Sequence, residues 1–456
     1  MKKLFGTDGI RAKAGEFPLD SATVRVIGRS LGQHLAENAG ENPQIVVGRD
    51  TRESGAWIEE ALIAGAHEAG ARVKSAGVIT TPGVAFLARA LPAAAGVVIS
   101  ASHNPYHDNG IKIFQPSGRK LEDAVERQIE ADIANSKENS NHEDDGASLT
   151  ISSEQAAELQ TRYVDYLTKE IAHDLSLANF TLVIDSANGA AYEIAPEVFR
   201  RLGANVVAIN DKPDGQNINL NCGSLHMGGL QARVVDERAN LGVAFDGDAD
   251  RALFVDSAGN FVDGDATLWV LANDFRMRGQ LPGDTVVATV MSNIGLEIAF
   301  REQGIRLTRT DVGDKYVLDE LLRAAAPLGG EQSGHIIFPR VSLAGDGIIT
   351  TIMLLRAIQS RKQSLLDLTR GFQRYPQLLV NVPVSEKRPF EDLASLQAAA
   401  RDVEQALKGR GRLLLRYSGT EPLARIMIEG EDEDQIAAYA EKLAGVIRKE
   451  IGAPSS

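Results

Sequence analysis

Four short polar loops hold the residue types that phosphoryl chemistry needs. The first is Ile99-Ser100-Ala101-Ser102-His103-Asn104-Pro105, set between apolar runs at 96–99 and 110–114. That pattern predicts a small hydroxyl on a tight loop at a strand end. A nucleophile or phosphate carrier needs that placement, because rigid strands hold the loop while its tip stays accessible. The second loop, Asp246-Gly247-Asp248-Ala249-Asp250-Arg251, follows the apolar run 241–245. Alternation in an extended segment points all three carboxylates one way. They repel one another unless a cation sits between them, and hard oxygens suit Mg²⁺ or Mn²⁺. A solvated acidic turn is the bland alternative. The twelve-residue calcium pattern fails, since Ser257 stands where its closing Glu belongs. Arg251, next to the triad, could face a phosphate bound there.

The third loop places Glu331, Ser333 and His335 within five residues flanked by glycines. An acceptor, a donor–acceptor and a titratable ring can read vicinal sugar hydroxyls, although a lone His is more often structural. The fourth, Arg416-Tyr417-Ser418-Gly419-Thr420, offers a guanidinium, hydroxyls and backbone N–H groups, and Arg425 could add a second cation across the hairpin. Those are the parts of a phosphate clamp, with a plain hairpin turn as the alternative. No GxxxxGK[ST] and no GxGxxG follows a strand, which argues against a nucleotide enzyme. GxSxG fails around Ser102, which argues against an esterase.

The elements that position these loops recur three times. β-Branched strands open blocks at 45–47, 181–184 and 285–288, and helix-like stretches follow at 57–69 and 194–202. Second strands come at 71–73, 204–209 and 305–308, a spacing that fits strand–helix–strand crossovers and parallel pairing. Third runs at 96–99, 241–245 and 328–330 each deliver a polar loop, and hairpin-like runs follow at 110–114 and 252–262. Ligands gather outside strand ends in such sheets, so one cleft lined by all three blocks is the economical picture. The polar stretch 135–148 reads as an exposed linker. A β-α-β-β-α order over 378–384, 390–407, 412–417, 423–429 and a final helix predicts a small α+β domain, and 453–456 reads as a loose tail.

The 456 residues are 43% hydrophobic and 24% charged, an ordinary globular balance that admits several domains. A net charge of −14 argues against a nucleic-acid or anionic-membrane surface. Any cations that hold an anionic substrate must therefore be concentrated locally. The single cysteine, Cys222, excludes an internal disulfide and a Cys-rich zinc site. Gly6, Thr7, Asp8 and Gly9 break any leader after Met1-Lys2-Lys3, and no run of 18 apolar residues spans a bilayer. A cytoplasmic protein is expected.

Taken together, the motifs resemble the α-D-phosphohexomutase superfamily, in particular its bacterial glucosamine-phosphate branch, over almost the whole chain. They are FGTDGIR from Phe5, SASHNPYHDNGIK from Ser100, DSANGAA from Asp185, PDGQNIN from Pro213, DGDADR, VGDKYV from Val312, GEQSGH from Gly330 and RYSGTEP from Arg416. Ala12 stands where the family shows Gly, and Leu225 replaces the Thr of CGSTH. The resemblance implies an α/β fold: three related mixed α/β domains plus a small C-terminal α+β domain around a central cleft. The expected divisions are a phosphoserine-loop domain (1–150), a metal-binding domain (151–256), a sugar-binding domain (257–371) and a phosphate-binding domain (372–456). It implies that Ser102 is a phosphoserine and that Asp246, Asp248 and Asp250, with an oxygen on Ser102, hold one Mg²⁺. Glu331 and Ser333 would bind sugar hydroxyls. Arg416, Ser418, Gly419, Thr420 and Arg425 would hold the phosphate that is not transferred. Arg11, His103, Lys112, Arg251 and His335 match cleft positions that assist phosphoryl or proton transfer. The implied reaction interconverts glucosamine 6-phosphate and glucosamine 1-phosphate through a 1,6-bisphosphate, supplying UDP-N-acetylglucosamine synthesis. A phosphoglucomutase/phosphomannomutase is the nearest alternative, followed by an Asp-nucleophile phosphatase and a non-catalytic sugar-phosphate binder. The implied partner is a hexosamine phosphate, with no nucleic acid and no membrane; a homodimer stays open.

Overall fold

A computed structural model describes residues 3–6, 8–136, 152–418 and 421–453. The expected three-fold recurrence is present. In the first sheet, strands Gln44–Arg49, Arg72–Val78 and Ala95–Ile99 run parallel, with Gln44–Arg49 central to the three. Asp108–Phe114 adds antiparallel to Ala95–Ile99, and Gly9–Lys13 adds beyond it. Every residue of Ala95–Ile99 is buried, as befits a strand covered on both faces. The predicted helix after the first strand is Gly55–Glu68.

The second sheet repeats the plan. Thr181–Asp185 lies between Asn205–Ile209 and Leu241–Phe245, both parallel to it, and Ala252–Asp256 returns antiparallel. In the third, the order is Arg306–Thr310, Thr285–Thr289, Gly329–Gly330, Ile336–Ile337. Thr285–Thr289 pairs parallel with Gly329–Gly330, which pairs antiparallel with Ile336–Ile337. In each sheet the loop carrying Ser102, the aspartates or Glu331 leaves the strand just before the direction reverses.

The chain forms two compact units, one of Met1–Val290 with Thr308–Thr369, the other of Met291–Leu307 with Arg370–Ser456. The second unit holds the antiparallel sheet Gln377–Pro383, Leu423–Glu429, Arg412–Tyr417, with helices Ala394–Leu407 and Glu433–Ile451. The predicted helical run 390–407 is divided, a short 3₁₀ turn Phe390–Asp392 preceding the helix. Ile436, Ala440, Leu443 and Ile447 are buried, the face expected from their spacing. Within this unit Asn293, the N-cap of helix Ile294–Glu302, is fully buried. Its side chain accepts from Tyr375 N at 2.9 Å and donates to Tyr375 O at 3.0 Å and to Glu429 Oε1 at 3.2 Å.

The expected linker 135–148 lies outside the described residues except for its first two, which close the helix Asp123–Ser136. Residues 454–456 of the tail lie outside them too. Among the described residues no helix is long and apolar enough to cross a membrane.

Candidate active site

Ser102 follows strand Ala95–Ile99 with φ of 53°, a left-handed turn uncommon for a side chain larger than glycine. Buried donors hold that turn. Arg52 donates to the carbonyls of Asn104 (2.5 Å), Asp108 (2.7 Å) and Ser102 (3.3 Å), and pairs with Asp50. Asn219 donates to Ser102 O at 2.9 Å and Asn104 O at 3.1 Å. Ser102 N–H donates to Ser100 Oγ at 2.9 Å, and Ser100 Oγ–H to Asp50 Oδ2 at 2.6 Å. The accessible tip expected from sequence is instead a side chain with 1% exposure. Burial follows because the second sheet's loop lies directly on it.

That loop brings Asp246, Asp248 and Asp250 together, each offering an oxygen within 4.8 Å of the others. The predicted convergence is there, but strand alternation is not its cause. The segment is a turn in which Ala249 has φ of 57° and its N–H donates to Asp246 O at 3.1 Å. Gly247 is required at the crossing, since a β-carbon there would stand 2.4 Å from Ser102 O. The Ser102 hydroxyl donates to Asp246 Oδ2 at 2.5 Å. Buried Asp248 Oδ1 and Asp250 Oδ1 have no hydrogen-bond partner. Asp250 Oδ1 has only the longer ion pairs with His335 Nδ1 at 3.6 Å and Arg251 Nε at 3.7 Å. Buried carboxylate oxygens without hydrogen bonds, beside a serine hydroxyl, fit a hard divalent cation.

The charges confirm how crowded the cluster is. Burial, joined by the charges of Asp250 and Asp248, drives the Asp246 carboxyl well above the usual carboxylate range. Burial also works to raise Asp250, but Lys112, His335 and Arg251 overcome it and hold that carboxyl well below. Three carboxylates at this distance cannot all ionise unaided, so the cluster takes either a proton or a cation. Lys112 Nζ, buried, lies 2.8 Å from Asp248 Oδ2, 3.0 Å from Asp8 Oδ2 and 3.5 Å from Asp250 Oδ2. Arg251 Nη1 and Ser102 Oγ each lie 3.3 Å from His103 Nδ1. Burial, then Arg251 and Arg11, push His103 down to about 4, so its ring is neutral near pH 7. His335 behaves oppositely. Burial would lower it, but Asp250, 3.6 Å from its Nδ1, raises it to about 9.

His335 owes its position to Gly345, because a β-carbon at 345 would stand 2.4 Å from the imidazole Nε2 and 2.6 Å from Cε1. Gly345→Ala is expected to displace the ring and lower kcat/KM about 10- to 100-fold, the scale of a one-ångström misplacement. Steady-state kinetics beside a melting curve checks this; wild-type kcat/KM would remove His335 from the reaction. In the same loop Glu331 Oε1 accepts from Gly313 N at 3.1 Å, and Ser333 Oγ is buried without a partner. Arg11 pairs with Asp8 and reaches Asn104 Oδ1 at 3.5 Å.

The fourth loop belongs to the second compact unit. Arg416 and Arg425 sit directly opposite each other on paired strands, so their side chains leave the same face. Two like charges in that register are unfavourable on their own, and an anion relieves them. Arg425 Nη2 donates to Ser418 Oγ at 3.3 Å and lies 3.2 Å from Glu421 Oε2. Gly419 and Thr420 lie outside the described residues.

Ser102, His103, Arg11, Lys112, the three aspartates, Arg251, His335, Glu331 and Ser333 thus fall in the first unit. Sequence reasoning missed Arg52, Asn219 and Thr81, whose hydroxyl donates to Asp248 Oδ2 at 2.6 Å. Arg52 carried a usable signal, for it stands three residues past a buried parallel strand, where such sheets gather their sites.

Comparison with known proteins accounts for nearly the whole chain. Residues 2–140, 161–259 and 263–375 match phosphoglucomutase/phosphomannomutase alpha/beta/alpha domains I, II and III, and 379–446 match the C-terminal domain. The chain belongs to the phosphoglucomutase/phosphomannomutase family, as the phosphohexomutase motifs implied. The phosphoglucosamine mutase of Solibacter usitatus is 50% identical over 451 residues, 99% of each chain. The solved phosphoglucomutase/phosphomannomutase family protein of Burkholderia thailandensis shares the fold, with a TM-score of 0.79 at 24% identity over 99% of this chain and 100% of that one. The N-acetylphosphoglucosamine mutase of Aspergillus fumigatus, solved with GlcNAc-6P and magnesium, has a TM-score of 0.63 at 18% identity over 98% and 95%.

Proposed function

We propose that this enzyme interconverts glucosamine 6-phosphate and glucosamine 1-phosphate, using a phosphoserine at Ser102. The observation that carries the reading is the Ser102 hydroxyl seated on Asp246 inside a buried cluster of three carboxylates. Kinship to phosphoglucosamine mutases over the full chain supports the choice of sugar.

Phospho-Ser102 gives its phosphoryl group to O1 of glucosamine 6-phosphate. The Oγ–P bond breaks as the P–O1 bond forms, and the O1 proton passes to a neighbouring base. The 1,6-bisphosphate turns end for end, its 6-phosphoryl returns to Oγ, O6 regains a proton, and glucosamine 1-phosphate leaves. Arg52 and Asn219 fix the backbone of the Ser102 loop, so the oxygen stays in line for both transfers. Lys112 and Arg251 bring positive charge to the transferring group, which offers the protein little covalent chemistry of its own. Neutral His103 can accept a proton and protonated His335 can donate one. Glu331 and Ser333 read ring hydroxyls in either orientation. Arg416, Ser418, Gly419, Thr420 and Arg425 clamp the idle phosphate. Asp246, Asp248 and Asp250, with an oxygen on Ser102, would hold Mg²⁺, which when bound neutralises charge on the transferring phosphoryl group. The four divisions 1–150, 151–256, 257–371 and 372–456 then carry the phosphoserine, the metal, the sugar and the phosphate.

Turnover of glucosamine 1-phosphate against glucose 1-phosphate and mannose 1-phosphate tests the assignment; a higher kcat/KM for either rival overturns it. Asp248→Asn keeps the side chain's size but removes its charge. It is expected to weaken cation binding about 10-fold or more, read as Mn²⁺ affinity by electron paramagnetic resonance and as the Mg²⁺ dependence of turnover. Unchanged Mn²⁺ affinity would take Asp248 out of the ligand set.

A further inference from the structure

Lys120 lies outside every motif of the reaction, yet its ammonium joins the two halves of the first unit's site. Nζ stands 2.6 Å from Asp8 Oδ1 and 2.6 Å from Asp314 Oδ2. Asp8 sits at the turn between strands Phe5–Gly6 and Gly9–Lys13, and its other oxygen accepts Lys112 at 3.0 Å and pairs with Arg11. Asp314 opens the helix Asp314–Ala324, and the N–H of the preceding Gly313 holds Glu331 Oε1 at 3.1 Å. An unbroken polar path therefore runs from the hydroxyl-reading Glu331 through Gly313 and Asp314 to Lys120, and through Asp8 to Lys112 and Arg11. Lys120, Asp8 and Asp314 also line the same cavity of about 420 Å³ as Lys112, Asp250 and His335. The three side chains of this bridge are 20–26% exposed, which screens them less than the pairs farther out along the same seam. There Arg119 meets Asp319 at 2.9 Å with both side chains about half exposed.

We propose that Lys120 is a positioning residue for phosphoryl transfer, setting the distance between the sugar-reading loop of Glu331 and the Lys112–Arg11 pair through its joint hold on Asp8 and Asp314. The proposal rests on the mutase reading and adds to it. With the ammonium removed, two carboxylates lose a common counter-ion. Asp8 then draws on Lys112 and Arg11 alone, and Gly313 loses the anchor next to it. The sugar is held, but O1 and O6 no longer arrive in line with phosphorus, so kcat should fall more than KM rises. Arginine can still bridge both carboxylates, though in a different geometry.

The test is steady-state isomerisation of glucosamine 1-phosphate, with rates expressed per Ser102 that takes up ³²P from labelled bisphosphate. Wild type, Lys120→Met, Lys120→Arg, Asp314→Asn, Lys120→Met with Asp314→Asn, and Asp319→Asn are compared. The expected result is a fall in kcat of about 10- to 100-fold for Lys120→Met, partial recovery in Lys120→Arg, and no further loss in the double variant. Asp319→Asn should match wild type. A wild-type kcat per labelled site in Lys120→Met overturns the proposal, because a merely structural lysine would lower only the number of labelled sites. Losses that multiply in the double variant overturn it as well. If Lys120→Met does not fold, Asp314→Asn and Lys120→Arg decide, and unaltered kcat in both counts against it. A wild-type enzyme that turns over no hexosamine phosphate would instead defeat the mutase reading.

Discussion

Ser102→Ala is expected to leave a folded protein that isomerises glucosamine 1-phosphate at least about 10⁴-fold more slowly, the scale of loss when a nucleophile is removed. Among the described residues the Thr81 hydroxyl also touches the carboxylate cluster, on Asp248 Oδ2 at 2.6 Å. It stands at the start of helix Thr81–Ala90, however, and on a different carboxylate from the one that holds Ser102 Oγ. Transfer from any other group would have to begin from a different geometry. The cost to stability is small by comparison. The hydrogen bond to Asp246 is lost, worth about 1 kcal/mol, with the longer 3.3 Å contact to His103 Nδ1, and the Asp246 acceptor is a carboxyl already driven toward its neutral form by burial. Labelled bisphosphate should put ³²P on wild type and none on the variant. Turnover that persists without label on the protein would favour an aspartate nucleophile and end the phosphoserine reading.

The second large effect is on stability. Arg52 is 1% exposed and Asp50 is fully buried, and the guanidinium also holds three carbonyls of the Ser102 loop. Arg52→Met leaves the Asp50 charge unpaired in the interior, which should cost about 3–5 kcal/mol. Adding Asp50→Asn removes that stranded charge and should restore part of the loss, so the two changes are strongly non-additive. Urea unfolding of the four proteins checks it, and a single-variant cost below about 1 kcal/mol would contradict the burial argument. Because Asn219 still holds two of the same carbonyls, whatever folds of Arg52→Met should keep a weakened but measurable activity.

What could be read from the sequence was local. Ser102, the three aspartates and the Glu331–His335 loop each announce themselves within six residues, and β-branched runs marked the strands that carry them. The three-fold recurrence was visible because each sheet repeats one order of elements. Long-range pairing was not visible. Arg52 meets Asn104 across 52 positions, Asn219 meets Ser102 across 117, and Lys120 meets Asp314 across 194. No spacing rule connects such partners. The aspartates show a subtler failure, in which the right convergence was expected for the wrong reason. A left-handed Ala249 achieves what strand alternation would have done, and alanine gives no hint that it will adopt that conformation.

The Asn293 contact bears on how the polypeptide can be cut. A fragment begun at residue 372 would contain all of the sheet Gln377–Pro383, Leu423–Glu429, Arg412–Tyr417 but not the amide that matches both backbone groups of Tyr375 and one oxygen of Glu429. Glu429 would keep Arg412 at 2.7 Å, while the amide and carbonyl of Tyr375 would open to water. Excising the C-terminal region as an autonomous piece therefore calls for supplying 291–307 as a separate peptide, a split-protein complementation that the covalent order of the chain conceals.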